Sequence, residues 1–216
     1  MKKQVLVIGL GRFGTSLART LAMLGCEVLA IDNRLENVEH VADEVTQALQ
    51  MDASDEQAFK QIGAGNFDVA VVSTGADQNA SLIVTLMCKE VGIPFVVAKA
   101  NSELHAKILY KIGADKVVFP ERDMGIRVAR TLFSQSVLDL IELTDEYSII
   151  EVKAPAAWVG KSLIKLDLRA RFNLNVVAIK TKDNVFIVPQ GTDIIREGDI
   201  VVLIGSTKSI ERVEKM

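Results

Sequence analysis

The chain has 216 residues, 49% hydrophobic and 25% charged, a globular composition that excludes a disordered chain and bounds it at between one and two domains. With 25 basic and 28 acidic residues the net charge is -3, which argues against nucleic acid as a main partner, because phosphate binding needs a basic surplus or stripe. Cys26 and Cys88 each sit in an apolar stretch, too few for a disulfide framework or a four-cysteine metal site, so a reducing compartment fits.

The first apolar run, from Val5, is too short for a signal-peptide core, and no run approaches the roughly 18 apolar residues of a membrane-spanning helix. A membrane role is therefore expected to pass through a partner.

Short β-branched runs predict strands at Val5 to Ile8, Val28 to Ile31, Val45 to Leu49, Val69 to Val72, Phe95 to Ala98 and Val117 to Phe119. Most lack polar alternation and read as parallel strands buried on both faces, while the mixed Val45 to Leu49 suits an edge. Helical patterns fall between them at Thr15 to Leu24, Asp55 to Ile62, Gln78 to Val91 and Ser102 to Ile112, with Gly25, Gly92 and Gly113 as stops and Asn101 as a cap for the last. Strand–helix alternation over about 120 residues predicts an α/β, Rossmann-like, doubly wound parallel sheet. After Pro120 the pattern changes. Met124 to Val137 reads as a longer linking helix. Strands with turns then follow at Ser148 to Val152, Val176 to Ile179, Val185 to Val188 and Ile200 to Ile204, with a hairpin turn at Lys182-Asp183-Asn184. This places a nucleotide-binding domain at 1–140 and a smaller α+β domain at 141–216.

Gly9-Leu10-Gly11-Arg12-Phe13-Gly14 is a G-x-G-x-x-G between a predicted strand and a predicted helix, and Asp32 ends the next strand about twenty residues after Gly11. Gly9 permits the tight turn, Gly11 lets backbone approach a pyrophosphate, and Gly14 lets the helix pack close to the sheet. The helix N-terminus offers free N–H groups to phosphates. Asp32 accepts from ribose hydroxyls and repels a 2′-phosphate, which disfavours NADP, with Asn33 beside it. Arg12 suits a ligand with more phosphate charge than a dinucleotide, such as ADP or ATP.

The carboxyl ends of the other strands supply further candidates: Asp52 and Ala53 for an adenine edge, Ser73, Thr74 and Gly75 across the crevice, Lys99 for a phosphate, and Glu121 for a divalent cation such as Mg2+. Catalytic chemistry is poorly served. His40 and His105 both read as helix-surface residues, and neither a nucleophile elbow nor a Walker A lysine is present. The residues read as a nucleotide-binding sensor, not an enzyme, with an NAD-dependent oxidoreductase as the rival.

The glycine motif, Asp32, Met51-Asp52-Ala53, Lys111-Ile112-Gly113-Ala114-Asp115 and Phe119-Pro120-Glu121-Arg122-Asp123-Met124 together resemble the RCK family, the TrkA-type regulatory subunits of Ktr and Trk potassium uptake systems, over essentially the whole chain. The resemblance implies a homodimer assembling into an octameric ring. That ring would sit against the inner face of the cell membrane, under a potassium-transporting subunit of the KtrB or TrkH kind. It implies ATP and ADP competing for the first domain, NAD(H) in some members, Arg12 on the terminal phosphate, Asp32 on the ribose, Asp52 and Ala53 at the adenine, and Glu121 near a cation. The segment from Ser162 to Asn175 resembles a cyclic di-AMP pocket, with Leu163 and Leu168 flanking the base, Arg169 on a phosphate, and Asn175 and Pro189 completing it. A ligand sensor for another transporter stays open beside this reading.

Overall fold

In a computed structural model, residues 2–74, 77–133, 137–144, 146–182 and 185–214 are described. The chain divides into two compact units, 1–120 and 121–216.

The first unit runs β1 (Gln4–Ile8), α1 (Arg12–Met23), β2 (Glu27–Asp32), α2 (Leu35–Glu39), β3 (Gln47–Gln50), α3 (Glu56–Gln61), β4 (Val69–Val72), α4 (Gln78–Glu90), β5 (Phe95–Lys99), α5 (Glu103–Lys111) and β6 (Lys116–Val118). Its strands pair in parallel in the order β3-β2-β1-β4-β5-β6, so the expected doubly wound sheet is present, with β3 at an edge. Strand side chains alternate between two apolar layers. Leu6, Ile8, Leu29, Ile31, Ala70 and Val72 face Phe59, Val84, Met87 and Leu109 from α3, α4 and α5. Val5, Val7, Val28, Ala30, Val69 and Val71 face Ala18 and Val38 from α1 and α2. Both faces are covered, which is why these runs carry no polar alternation. The helices change face between β1 and β4, and a ligand crevice belongs at that reversal.

Local chemistry sets the ends of these elements. Asp55, Asp77 and Ser102 cap α3, α4 and α5 through side-chain oxygens that accept first-turn N–H groups. The cap of α5 is thus Ser102, one residue after the expected Asn101; its hydroxyl accepts from His105 N at 3.2 Å. Gly25, Gly92 and Gly113 follow their helices with φ of 88°, 85° and 108°, the left-handed stop the sequence pattern implies. His105 corrects an expectation: it is 2% exposed, and burial lowers its pKa. Burial pushes the Cys88 thiol up to about 12, so it behaves as a small core residue.

The second unit comprises most of α6 (Pro120–Phe133), then β7 (Val137–Glu142), β8 (Tyr147–Lys153), α7 (Leu163–Leu166), α8 (Leu168–Phe172), β9 (Leu174–Lys180), β10 (Val185–Ile187), β11 (Ile200–Ser206) and α9 (Thr207–Glu214). Its sheet is antiparallel, in the order β10-β9-β11-β8-β7. β9 and β10 pair as the expected hairpin; Asp183 and Asn184 of its turn lie outside the described residues.

One feature differs from expectation. The linking helix ends at Phe133, and Val137 belongs to a strand, β7, that pairs with β8. Arg127 on α6 donates from Nε to Asp139 on β7 at 2.8 Å and holds that carboxyl below the ordinary range, one reason the helix groups with this unit. The segment after Ser162 forms two short helices broken by Asp167, whose φ is 44°. Ser162 caps the first and Asp167 the second, a pair of caps that propensity alone conceals because each helix spans little more than one turn.

Candidate nucleotide site

The turn after β1 carries the glycine motif to the carboxyl ends of β1, β2 and β4. Gly9 has φ of 91°, and a Cβ there would lie 2.9 Å from both the Ser73 carbonyl carbon and the Thr74 nitrogen. Gly14 packs closer still: a Cβ would sit 1.9 Å from the Gly9 carbonyl oxygen and 2.5 Å from Ser73 Oγ. Ser73 Oγ donates to that same carbonyl, tying β4 to the turn. At Gly11 a Cβ would meet nothing within 4 Å, so the space beside it is open. Gly11 is also the N-cap of α1 and has no side chain to cap it, which leaves first-turn amides for an anion.

Asp32 closes the other side. Its Oδ2 accepts from Leu10 N at 2.6 Å and its Oδ1 from Arg34 N at 2.9 Å, which locks the β2 end to the glycine turn. A carboxylate has about four acceptor sites, so two remain for a ribose diol. Asp52 lies one strand over, its Oδ1 accepting from Ser54 Oγ at 2.6 Å and Ser54 N at 2.9 Å; these bonds hold its carboxyl below the ordinary range.

These groups line one cavity of about 310 Å³, the lower end of the size range for small-ligand sites. Gly9, Gly11, Asp32, Asn33, Asp52, Ala53, Ser73 and Thr74 all reach it. Thr74 Oγ1 is buried and has no hydrogen-bond partner among the described residues, an orphaned polar atom at the wall that a polar ligand would satisfy.

Other expected residues fall elsewhere. Phe13 packs, partly buried, into the apolar layer under α1 and lines neither the cavity nor the groove beside it. Gly14 likewise serves close packing. Arg12 is exposed and lines a neighbouring groove of about 670 Å³, which shares Gly11, Arg34 and Asn37 with the cavity. Lys99 ends β5, half-buried, and does not line the cavity. Glu121 stands in the first turn of α6 and belongs to the second unit. Gly75 lies outside the described residues.

Sequence reasoning passed over Arg34, Asn37 and Asp77, which line the cavity. Asp77 carried a signal, a carboxylate immediately before the helical run that begins at Gln78. Arg34 and Asn37 follow Asp32 in a loop and a short helix without periodicity.

In the second unit Leu163 and Ile164 are bonded to the loop after Pro189: Leu163 N donates to the Asp193 carbonyl at 3.1 Å and Ile164 N to the Gly191 carbonyl at 2.9 Å. Arg169 and Asn175 are exposed, Leu163 and Pro189 half-buried. Leu168 contradicts the expectation that it flanks a ligand: at 4% exposure it packs with Trp158, Leu166 and Leu174 in the core. The exposed apolar side chain of this segment is Ile164, at 67%.

No helix among the described residues is long and apolar enough to cross a membrane. Among the same residues no three carboxylate, histidine or cysteine side chains gather to hold a metal ion. Glu121 stands in no such cluster among these residues.

The TrkA-N domain model matches residues 5–120 and the TrkA-C domain model residues 147–216. The expected division after residue 140 falls in the stretch between the two. The chain is 42% identical to the Ktr system potassium uptake protein C of Bacillus subtilis over 215 residues, covering 100% of this chain and 97% of that protein. It is 42% identical to protein A of the same system and organism, covering 98% of this chain and 96% of that one. It is 35% identical to the Ktr system potassium uptake protein A of Vibrio alginolyticus, covering 94% and 92%. Among solved structures, the GsuK channel bound to NAD matches with a TM-score of 0.69 at 15% identity, covering 99% of this chain and 39% of that one, a likeness of fold.

Proposed function

This chain belongs to the TrkA-type, or RCK, family, and from that premise we propose that it is the nucleotide-sensing gating subunit of a potassium uptake system. The reading is that its first unit binds an adenine nucleotide and transmits the ligand state to a membrane-embedded, potassium-transporting partner. The observation that carries it is the cavity where the glycine turn, Asp32 and Asp52 converge, with an orphaned Thr74 hydroxyl at its wall. Open space at Gly11 and uncapped first-turn amides suit phosphates, and Asp32 suits a ribose. Among the described residues no histidine lines the cavity, which supports a sensor over a hydride-transfer enzyme.

Arg12 gives the site its means of switching. It is exposed, with no ion pair among the described residues, at the rim beyond the glycine turn. ATP carries one phosphate more than ADP, and a guanidinium that meets that phosphate in one assembly shape supplies the differential affinity that alone shifts an equilibrium. Exposed Met124, Ile126 and Leu132 on α6 support pairing of copies through this helix, as a ring assembled from dimers requires. Arg12→Ala is expected to weaken ATP by roughly 1–3 kcal/mol and ADP by less, as for a lost charge-assisted bond. Calorimetry with ATP, ADP and NADH checks this; an equal loss for ATP and ADP contradicts the terminal-phosphate role.

For the second unit we propose a cyclic di-AMP site on the exposed side of α7 and α8, between two copies. The contact between Ile164 and the loop at Gly191 supports it, because it brings the Leu163 and Pro189 segments together beside an exposed Arg169. Arg169→Ala is expected to weaken cyclic di-AMP about tenfold or more and to leave ATP titrations unaltered. Absence of binding to the unsubstituted protein at micromolar ligand would refute the site.

A further inference from the structure

Arg34 lines both the nucleotide cavity and the basic groove beside it. The groove is walled by Arg12, Arg19, Arg34 and His40 with Thr15 and Ser16, and by no carboxylate among the described residues. Arg19 is already committed: it donates to the His40 carbonyl at 2.7 Å and pairs with Glu44 at 2.7 Å. Arg12 stands by the phosphate end, at the first position of α1. Arg34 is exposed and its guanidinium has no partner among the described residues. Its own N–H is bonded to the Asp32 carboxylate, so this unpaired cation begins two residues from the group that would hold the ribose. Asn37, one turn further along α2, lines both spaces and adds a neutral amide.

Asp32 is the group that would repel a phosphate on the ribose. Both of its oxygens, however, already accept backbone N–H groups, from Leu10 and Arg34, which offsets part of its charge. On its groove side Arg34 meets no carboxylate among the described residues, although Asp52 and Asp77 line the cavity it also borders, and its unpaired guanidinium can pair bidentately with a phosphate. In dinucleotide folds a nearby arginine is what accommodates a 2′-phosphate.

We propose that the ribose end of this site takes adenosine bearing a phosphate on its 2′ or 3′ hydroxyl, held between Arg34 and Asn37 where the two cavities meet. This rests on the nucleotide reading given above and reverses the expectation that Asp32 disfavours NADP. Adenine nucleotides with and without the extra phosphate would then compete for one site, and the sensor would respond to both pools.

The test is equilibrium titration of the full chain with NADH, NADPH, AMP and adenosine 3′,5′-bisphosphate. At least one phosphorylated ligand is expected to bind within tenfold of its plain counterpart. The NADPH–NADH pair reports the 2′ position and the bisphosphate–AMP pair the 3′ position. Arg34→Ala is expected to weaken the phosphorylated member at least tenfold more than the plain one, and Arg34→Lys to restore part of the difference. If both phosphorylated ligands bind more than tenfold more weakly than their counterparts, or if Arg34→Ala changes the ratio by less than tenfold, the proposal is overturned. If ATP, ADP and all four ligands fail to bind, the nucleotide reading itself falls with it.

Discussion

Gly14→Ala is expected to destabilise the first unit by about 3 kcal/mol or more, the upper end of the cost of overpacking. The new Cβ would lie 1.9 Å from a main-chain carbonyl oxygen, Gly9's, and 2.5 Å from Ser73 Oγ. A carbonyl at a tight turn cannot swing aside as a lysine tip can. To make room, α1 must lift from the sheet or the turn must open, and opening it breaks the bond from Ser73. Gly11→Ala is the matched control. Its Cβ meets nothing within 4 Å and its φ of -69° suits any residue, so folding should be little changed. The methyl group would instead occupy the space a phosphate needs. Urea unfolding and nucleotide titration of the two variants should therefore separate, Gly14→Ala failing in stability and Gly11→Ala in binding. A Gly14→Ala protein with unaltered unfolding midpoint would show that the turn is looser than the structure has it.

Leu168→Ala is expected to cost the second unit about 2–5 kcal/mol, as for other buried leucines. At 4% exposure, Leu168 joins Trp158, Leu166 and Leu174 in one apolar cluster, and truncation leaves a cavity among them. The neighbouring Ile164→Ala should cost little, within about 0.5 kcal/mol, because that side chain is 67% exposed. Denaturant unfolding followed through Trp158 fluorescence checks both. The contrast matters for the cyclic dinucleotide site: a binding defect in Leu168→Ala would report partial unfolding, whereas one in Ile164→Ala would report contact. Equal stability of the two variants would mean that the α7–α8 segment is not packed as described.

Much of the first unit was legible because its signals are local. Val5 to Ile8 reads as a buried strand, Gly25 as a helix stop, and the spacing from Gly11 to Asp32 as a β–α–β nucleotide turn, each from residues a few positions apart. Phe13 shows the limit. It stands inside the motif, yet a helix puts neighbours on different faces, and its ring turns to the core while Gly11 turns to the cavity. His105 shows the same limit, since a histidine in a helical pattern carries no mark of which face will be covered. In the second unit β7 was not assigned: its first residue, Val137, closes a helical pattern, and pairing with β8 is what makes it a strand.

Composition, β-branched runs and the glycine spacing were sufficient by themselves for the fold class, most strands and helices of the first unit and the position of a nucleotide turn, because backbone sterics and short-range periodicity act within a few residues. Which side chains meet was decided only by the tertiary structure. It put Arg34 and Asn37 on the rim, withdrew Leu168 into the core and set Ile164 outside it, because burial depends on what distant segments cover and no local pattern encodes that.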